Sequence, residues 1–231
     1  PMVKFFKISS SDITNFPLLK KIASKRKPVI LSTGASSLNE IKKSVKFIEK
    51  NGCKKIIIMH CILNYPTSDK NANLNMITSL IKHFPKNLIG YSDHTLPNKN
   101  MSNITTSFIL GARIIEKHFT LDKNFSNFRD HQLSADPKEM SQLVEKVRKA
   151  ESMLGLSEKK IQKCEKDMNY YGRRSIAAAN DIKIGSKLKL SNLIWIRPGS
   201  GFKPGEENMV LNKKVRNNLK FAQILKKKDL S

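Results

Sequence analysis

His94 and His118 stand at the ends of two successive apolar runs, Leu88–Ser92 and Ala112–Lys117. Two imidazoles that converge on one pocket suit a divalent transition metal, with water and substrate oxygens filling the remaining positions. Asp130 and His131 follow in the next loop and can reach the same place. The competing reading is that each ring hydrogen-bonds a loop backbone; the shared position of the pair favours the metal.

Lys7, Ser10 and Asp12 crowd the end of an earlier run, Val3–Ser9. A lysine aimed into a pocket mouth is costly unless it meets an anion, so phosphate or carboxylate binding fits, with Asp12 orienting a substrate hydroxyl. A structural Lys7–Asp12 ion pair fits the same spacing. Tyr65, in His60-Cys61-Ile62-Leu63-Asn64-Tyr65-Pro66-Thr67, either lines the pocket or plugs its rim as an apolar cap. Cys61 has no base dedicated to it and reads as a buried, inert thiol. Arg197 lies in Trp195-Ile196-Arg197-Pro198-Gly199-Ser200-Gly201-Phe202, where proline and glycine impose a fixed turn; exposed arginines on turns are also common.

These residues need elements that bring them together, and the first two-thirds of the chain alternates strand and helix patterns in the manner of parallel βα units. Strands are expected at Val3–Ser9, Pro28–Thr33, Ile56–His60, Leu88–Ser92 and Ala112–Lys117. Helices are expected at Phe16–Lys25, from Ser37 to about Lys50, at Leu74–Phe84, near Ser102–Leu110, and from Asp136 to about Leu154. Ser37 with Glu40, and Asp136 with Pro137 and Glu139, are N-terminal capping signals. Every strand ends in polar, reactive residues, which collects them at the C-terminal rim of a parallel sheet, where barrel and doubly wound enzymes place their chemistry. After about Tyr170 the texture changes to short β-like pieces, Ser175–Ala178, Leu193–Ile196, Lys214–Val215 and Gln223–Leu225, joined by glycine and proline turns. The expected organisation is a parallel βα portion over 1–156, a charged connector over 157–172 and a small β-rich domain over 173–231.

The 231 residues carry a formal charge of +24, which raises the question of nucleic acid. Lysines are scattered over every surface segment without an arginine-rich arm, zinc finger or RNA-binding aromatic motif, so no nucleic-acid partner is expected. Such a field favours a small polyanionic substrate. No apolar run has the length of a membrane span, and Pro1-Met2-Val3-Lys4-Phe5-Phe6 lacks signal-peptide architecture, so a cytoplasmic protein without a membrane partner is expected. Cys53, Cys61 and Cys164 have neither CxxC nor zinc spacing, and an odd count argues for free thiols.

Taken in order, KISSSDITNFPLL, KPVILSTGASSLNEI, MHCILNYPT, LIGYSDHT, GARIIEKHFTLD, RRSIAAANDIKIG and IRPGSGF cover essentially the whole chain, and together they resemble the N-acetylneuraminate (sialic acid) synthase family. The resemblance implies an α/β chain: a TIM (β/α)8 barrel, here its strands 4–8, followed by a small antifreeze-like SAF (β-clip) domain. It implies condensation of phosphoenolpyruvate with an N-acetylated amino sugar to a nine-carbon sialic-type acid and phosphate. His94 and His118 are then ligands of a divalent metal, usually manganese, with magnesium or cobalt as alternatives. Lys7, Ser10 and Ser92 face phosphoenolpyruvate, Tyr65 and Asp130 contact the sugar, and Asp130 handles protons. Arg197 reaches the neighbouring subunit's site in a homodimer whose SAF domain covers the partner's barrel, and Tyr171 stands where the family often has a substrate-facing aromatic.

Three departures from the family pattern stand out. Asp12 occupies a position where many bacterial members have Glu. Leu63 replaces a commonly polar residue two before Tyr65, which bears on the identity of the sugar. The resemblance starts at the fourth barrel strand, and five parallel strands do not close an eight-stranded barrel, so the chain alone is expected to be unstable or inactive. Legionaminic or pseudaminic acid synthesis, and a non-catalytic sugar- or phosphate-binding remnant, are the alternative functions.

Overall fold

A computed structural model describes residues 3–231, which divide into two compact units, the first ending at Gly155 and the second spanning Leu156–Ser231.

The first unit contains β1 (Phe6–Ile8), β2 (Val29–Ser32), β3 (Ile56–His60), β4 (Leu88–Asp93) and β5 (Ile114–Lys117), all parallel and each beside the next in sequence order. This is the sheet expected from the alternation of patterns. Between the strands run α1 (Phe16–Ala23), α2 (Leu38–Lys50), α3 (Asp69–Ala72), α4 (Asn75–His83) and α5 (Ser102–Ile109); α6 (Arg129–Leu133) and α7 (Pro137–Leu154) follow β5. Both capping signals operate. The Ser37 backbone N–H donates to the Glu40 carboxylate at 2.8 Å, and Glu139 N–H donates to Asp136 Oδ1 at 2.8 Å.

Two expectations change. β1 begins at Phe6 rather than Val3, because its first ladder bond runs from Phe6 N–H to the carbonyl of Pro28, and Pro28 has no N–H to extend the ladder. The single turn α3 precedes α4 and left no helical periodicity in the sequence.

Side chains alternate across a strand, so each strand offers one set to the helices and the other to the opposite side. Ile8, Leu31, Ile58, Ile89 and Tyr91 face the helices and form the main core with Leu19, Ile48 and Ile77. Burying each of these stabilises the fold by about 1.5–3 kcal/mol. Lys7, Ile30, Met59, Ser92, Ile114 and Glu116 take the other side, where a groove of about 380 Å³ includes Lys7, Met59 and Glu116 in its walls.

The second unit has α8 (Lys166–Tyr171) and an antiparallel pair, β6 (Ser175–Ala178) with β7 (Leu193–Ile196). Its own core gathers Ile176, Leu188, Leu193, Val210, Leu219 and Leu225. The pieces expected at Lys214–Val215 and Gln223–Leu225 are single bridges rather than strands, Lys187 with Lys214, Val215 with Leu230 and Ala177 with Ile224. The chain turns too soon for longer ladders; Ala222, at a left-handed φ of 62°, stands just before the last of them. Among the described residues, no helix is long and apolar enough to cross a membrane.

Candidate active site

The same alternation that places Lys7 on the concave side of the sheet places Ser92 and Glu116 there, opposite each other on β4 and β5. His94 and His118, two residues further along, keep that side. Their ring centroids are 5.4 Å apart, and the Tyr65 ring lies 4.2 Å from His94 and 5.8 Å from His118. The structure therefore brings the two histidines and Tyr65 into one aromatic cluster at the C-terminal rim. The Arg129 guanidinium stands 5.5 Å from the centre of the Tyr65 ring.

The protonation of His94 follows from its partner. Nδ1 lies 2.6 Å from the Ile62 carbonyl, which can only accept, so Nδ1 carries the proton and Nε2 keeps its lone pair. Burial pushes the His94 pKa below its ordinary value, against the hydrogen bond to Ile62. A neutral ring with a free Nε2 is the state that a metal needs. Among the described residues no group of three or more His, Cys, Asp or Glu side chains is arranged to hold a metal ion. What the chain offers a metal is limited to the two neighbouring imidazoles, with the His94 Nε2 lone pair free.

Below the histidines runs a chain of polar contacts. Lys7 Nζ donates to Ser32 Oγ at 2.7 Å and pairs with the Glu116 carboxylate at 3.5 Å. Glu116 also accepts from Ser92 Oγ at 2.7 Å, and Ser92 Oγ is 3.4 Å from His94 Nε2. The Lys7–Asp12 ion pair that the spacing allowed does not form. Asp12 instead accepts from Ser9 Oγ at 2.8 Å and from Asn15 Nδ2 at 3.3 Å, inside its own turn. Ser10 is buried; its Oγ accepts from Gly34 N–H at 2.9 Å and lies 3.1 Å from Cys61 Sγ. Cys61 is buried, as expected for an inert thiol.

Asp130 is carried by α6, in the loop region beyond β5. Burial raises the Tyr65 pKa, reinforced by the nearby charges of Asp130 and Glu116. His131 turns instead to Thr120, whose Oγ1 lies 3.3 Å from its Nδ1.

Tyr171 and Arg197 belong to the second unit. Tyr171 is exposed and packs edge-on against Tyr170 at 5.0 Å. Arg197 Nε donates to the Gly172 carbonyl at 3.0 Å, while Ser175 Oγ braces the turn beyond it by donating to Pro198 O at 2.7 Å. Gly201 is required there, since a Cβ would stand 2.2 Å from the Leu225 carbonyl oxygen.

Glu116 was not singled out in the sequence, yet it ties Lys7 to Ser92. The signal was available: Glu116 and His118 have the same strand parity, as do Ser92 and His94.

Residues 1–159 match the model of the NeuB family, and residues 173–231 match that of the SAF domain. An uncharacterized protein of Methanocaldococcus jannaschii is 45% identical over 230 residues, 99% of this chain and 66% of the relative. The N,N'-diacetyllegionaminic acid synthase of Legionella pneumophila is 37% identical over 227 residues, 96% of this chain and 62% of the enzyme. A crystal structure from Chromobacterium violaceum, of a protein assigned to spore coat polysaccharide biosynthesis, superposes with a TM-score of 0.81 at 27% identity, covering 99% of this chain and 68% of that one. The chain thus spans 62–66% of the length of the two curated relatives.

Proposed function

The chain belongs to the NeuB family, and from that premise we propose that it carries the metal- and sugar-facing part of a synthase that joins phosphoenolpyruvate to an N-acetylated amino sugar. The observation that carries this reading is the convergence of His94, His118 and Tyr65 above the Lys7–Glu116–Ser92 chain at one rim. A cation, hydroxyls and two imidazoles suit a substrate pair consisting of a phosphorylated enol and a carbonyl compound.

His94 and His118 would hold a divalent metal, by family resemblance manganese, which when bound supplies Lewis-acid polarisation of the sugar aldehyde. Lys7, with Ser10 and Ser92, would neutralise and orient the phosphoenolpyruvate anion, lowering the entropic barrier to attack. C3 of the enol then forms the new bond to the aldehyde carbon, whose oxygen takes a proton. Water adds to the cationic C2, and the C2–O bond to phosphate breaks, giving the keto acid and inorganic phosphate. Asp130 would exchange the protons of these steps, and Tyr65 would pack against the sugar. Asp12 would orient a substrate hydroxyl after giving up a partner in its own turn. Tyr171 and Arg197 would face the site of a second subunit in a homodimer.

The sugar admits a second reading. Leu63, 43% exposed two residues before Tyr65, is an apolar side chain where the family is commonly polar. The likeness to the diacetyllegionaminic acid synthase supports a 2,4-diacetamido sugar in place of N-acetylmannosamine. Phosphate release from phosphoenolpyruvate, measured with each sugar for this chain and for any longer polypeptide encoded in frame with it, tests both readings. Release with an acetamido sugar that disappears in His94→Ala supports the synthase. Binding of phosphoenolpyruvate without release, in every form tested, leaves only a binding function.

A further inference from the structure

Each histidine of the site is preceded by one member of a buried ion pair, and we infer that this pair, Asp93 with Lys117, is the positioning device that sets the spacing and aim of the two imidazoles. The inference rests on the reading of His94 and His118 as metal ligands.

Asp93 and Lys117 are directly opposed in the parallel ladder and are its last paired residues before the histidines. Beyond them, among the described residues, no backbone ladder joins β4 to β5. The end of β4 is tied instead to the β3 side, where Thr67 N–H donates to the His94 carbonyl at 2.7 Å. The end of β5 is tied to the approach to α7, where Ala135 N–H donates to the His118 carbonyl at 2.8 Å. The two histidine-bearing ends therefore lean on different neighbours. The contact between Lys117 Nζ and Asp93 Oδ2, at 2.9 Å, joins them to each other.

The pair is held from several directions. Its side chains are 2% and 3% exposed. Asp93 Oδ1 accepts from Tyr91 OH at 2.9 Å, from Thr95 N–H at 3.0 Å and from Thr95 Oγ1 at 2.8 Å. Lys117 Nζ makes a second bond, to the Thr95 carbonyl at 2.5 Å. Asn103 of α5 donates to Thr95 Oγ1 at 3.2 Å and to Asp69 Oδ1 at 2.7 Å, which fastens the network to the helix layer. Successive side chains alternate, so fixing Asp93 and Lys117 on the helix side aims His94 and His118 to the concave side.

Adhesion alone does not call for charges here. A buried ion pair can often be replaced by apolar groups of similar volume without loss of stability. What an apolar pair lacks is direction: the lysine fork to Asp93 and Thr95 defines where one strand end stands relative to the other. Groups that orient metal ligands from behind typically change metal affinity 10–100-fold when removed.

The test is a titration of the full 231-residue chain with cobalt(II) alone, read by its visible absorption bands and by affinity. The double variant Asp93→Asn with Lys117→Met removes both buried charges and keeps the Oδ1 acceptor for Tyr91 and Thr95. It is expected to unfold at a temperature close to that of the parent chain, bind cobalt(II) about 10–100-fold more weakly, and show altered bands. Lys117→Arg, which keeps the charge, is expected to restore most of the affinity. An unchanged affinity and spectrum in the folded double variant overturns the inference. If that variant does not fold, Tyr91→Phe, which removes one anchor of Asp93, decides it: altered bands support the inference, and unaltered bands overturn it. His94→Ala with His118→Ala separates the two levels. If this variant loses cobalt(II) while the pair variants do not, only the positioning role fails; if it keeps cobalt(II), the ligand assignment fails and the inference with it.

Discussion

Lys7 on β1 and Glu116 on β5 occupy opposite edges of a five-stranded parallel sheet, yet their charged groups meet at 3.5 Å. Laid flat, four strand spacings would hold these edges about 19 Å apart, beyond the combined reach of the two side chains. The sheet therefore curls until its first and last strands face each other, as a barrel wall does, and the concave side becomes a pocket.

Lys7→Met is expected to weaken phosphoenolpyruvate binding by about 1.5–3 kcal/mol, the worth of a hydrogen bond to a charged group. Fold stability should change by less than about 1 kcal/mol, because the Lys7–Glu116 pair is about a third exposed and solvent screens it. Titration calorimetry of phosphoenolpyruvate and chemical denaturation of the same variant read the two quantities. Unchanged affinity would remove Lys7 from the anion site.

His94→Ala and His118→Ala are each expected to abolish tight manganese binding while leaving the fold intact, since neither ring belongs to the main hydrophobic core. Metal content after dialysis is the measurement. Retention of a full equivalent in both variants would reject the two-histidine site.

Gly90→Ala should destabilise the first unit by roughly 1–3 kcal/mol, the cost of overpacking a filled site. The added Cβ would stand 2.3 Å from Met59 Sδ and 2.7 Å from the Ile114 carbonyl oxygen, and the backbone atom has no room to yield. A denaturant midpoint equal to that of the parent chain would show that the sheet wall is looser than its packing implies.

Acid should destabilise the fold through His60. The residue is 2% exposed, and burial lowers its pKa below 6.5. The folded state thus binds this proton less readily than the unfolded chain. The stability from neutral His60 is fully present above the unfolded value of about 6.5 and is lost as pH falls through the folded value. His60→Gln, which keeps a donor towards the Ala72 carbonyl, should flatten the fall in unfolding free energy between pH 7 and 5. An unflattened slope would assign the acid sensitivity to other groups.

Much of the molecule could be read along the chain because its signals are local. Capping residues Ser37 and Asp136, the apolar run Ile56–His60 and the polar strand ends at Ser92-Asp93-His94 and Lys117-His118 depend on neighbours within a few positions. So do the ordered motifs that carry the family resemblance. Strand and helix order, the parallel sheet and the candidate ligands His94 and His118 followed from these. The partners that Lys7 and Asp93 find across the sheet, Glu116 and Lys117, were decided elsewhere. Whether Lys7 meets Asp12, five residues away, or Glu116, more than a hundred residues away, depends on how far the sheet curls, and curl is a sum of small twists over all five strands. The proton on His94 Nδ1 depends on where the Ile62 carbonyl comes to rest. The buried charges of Asp93 and Lys117 become tolerable only when two strands align in register. Short-range preference is written residue by residue, whereas contacts across the sheet exist only once the whole wall has closed on itself.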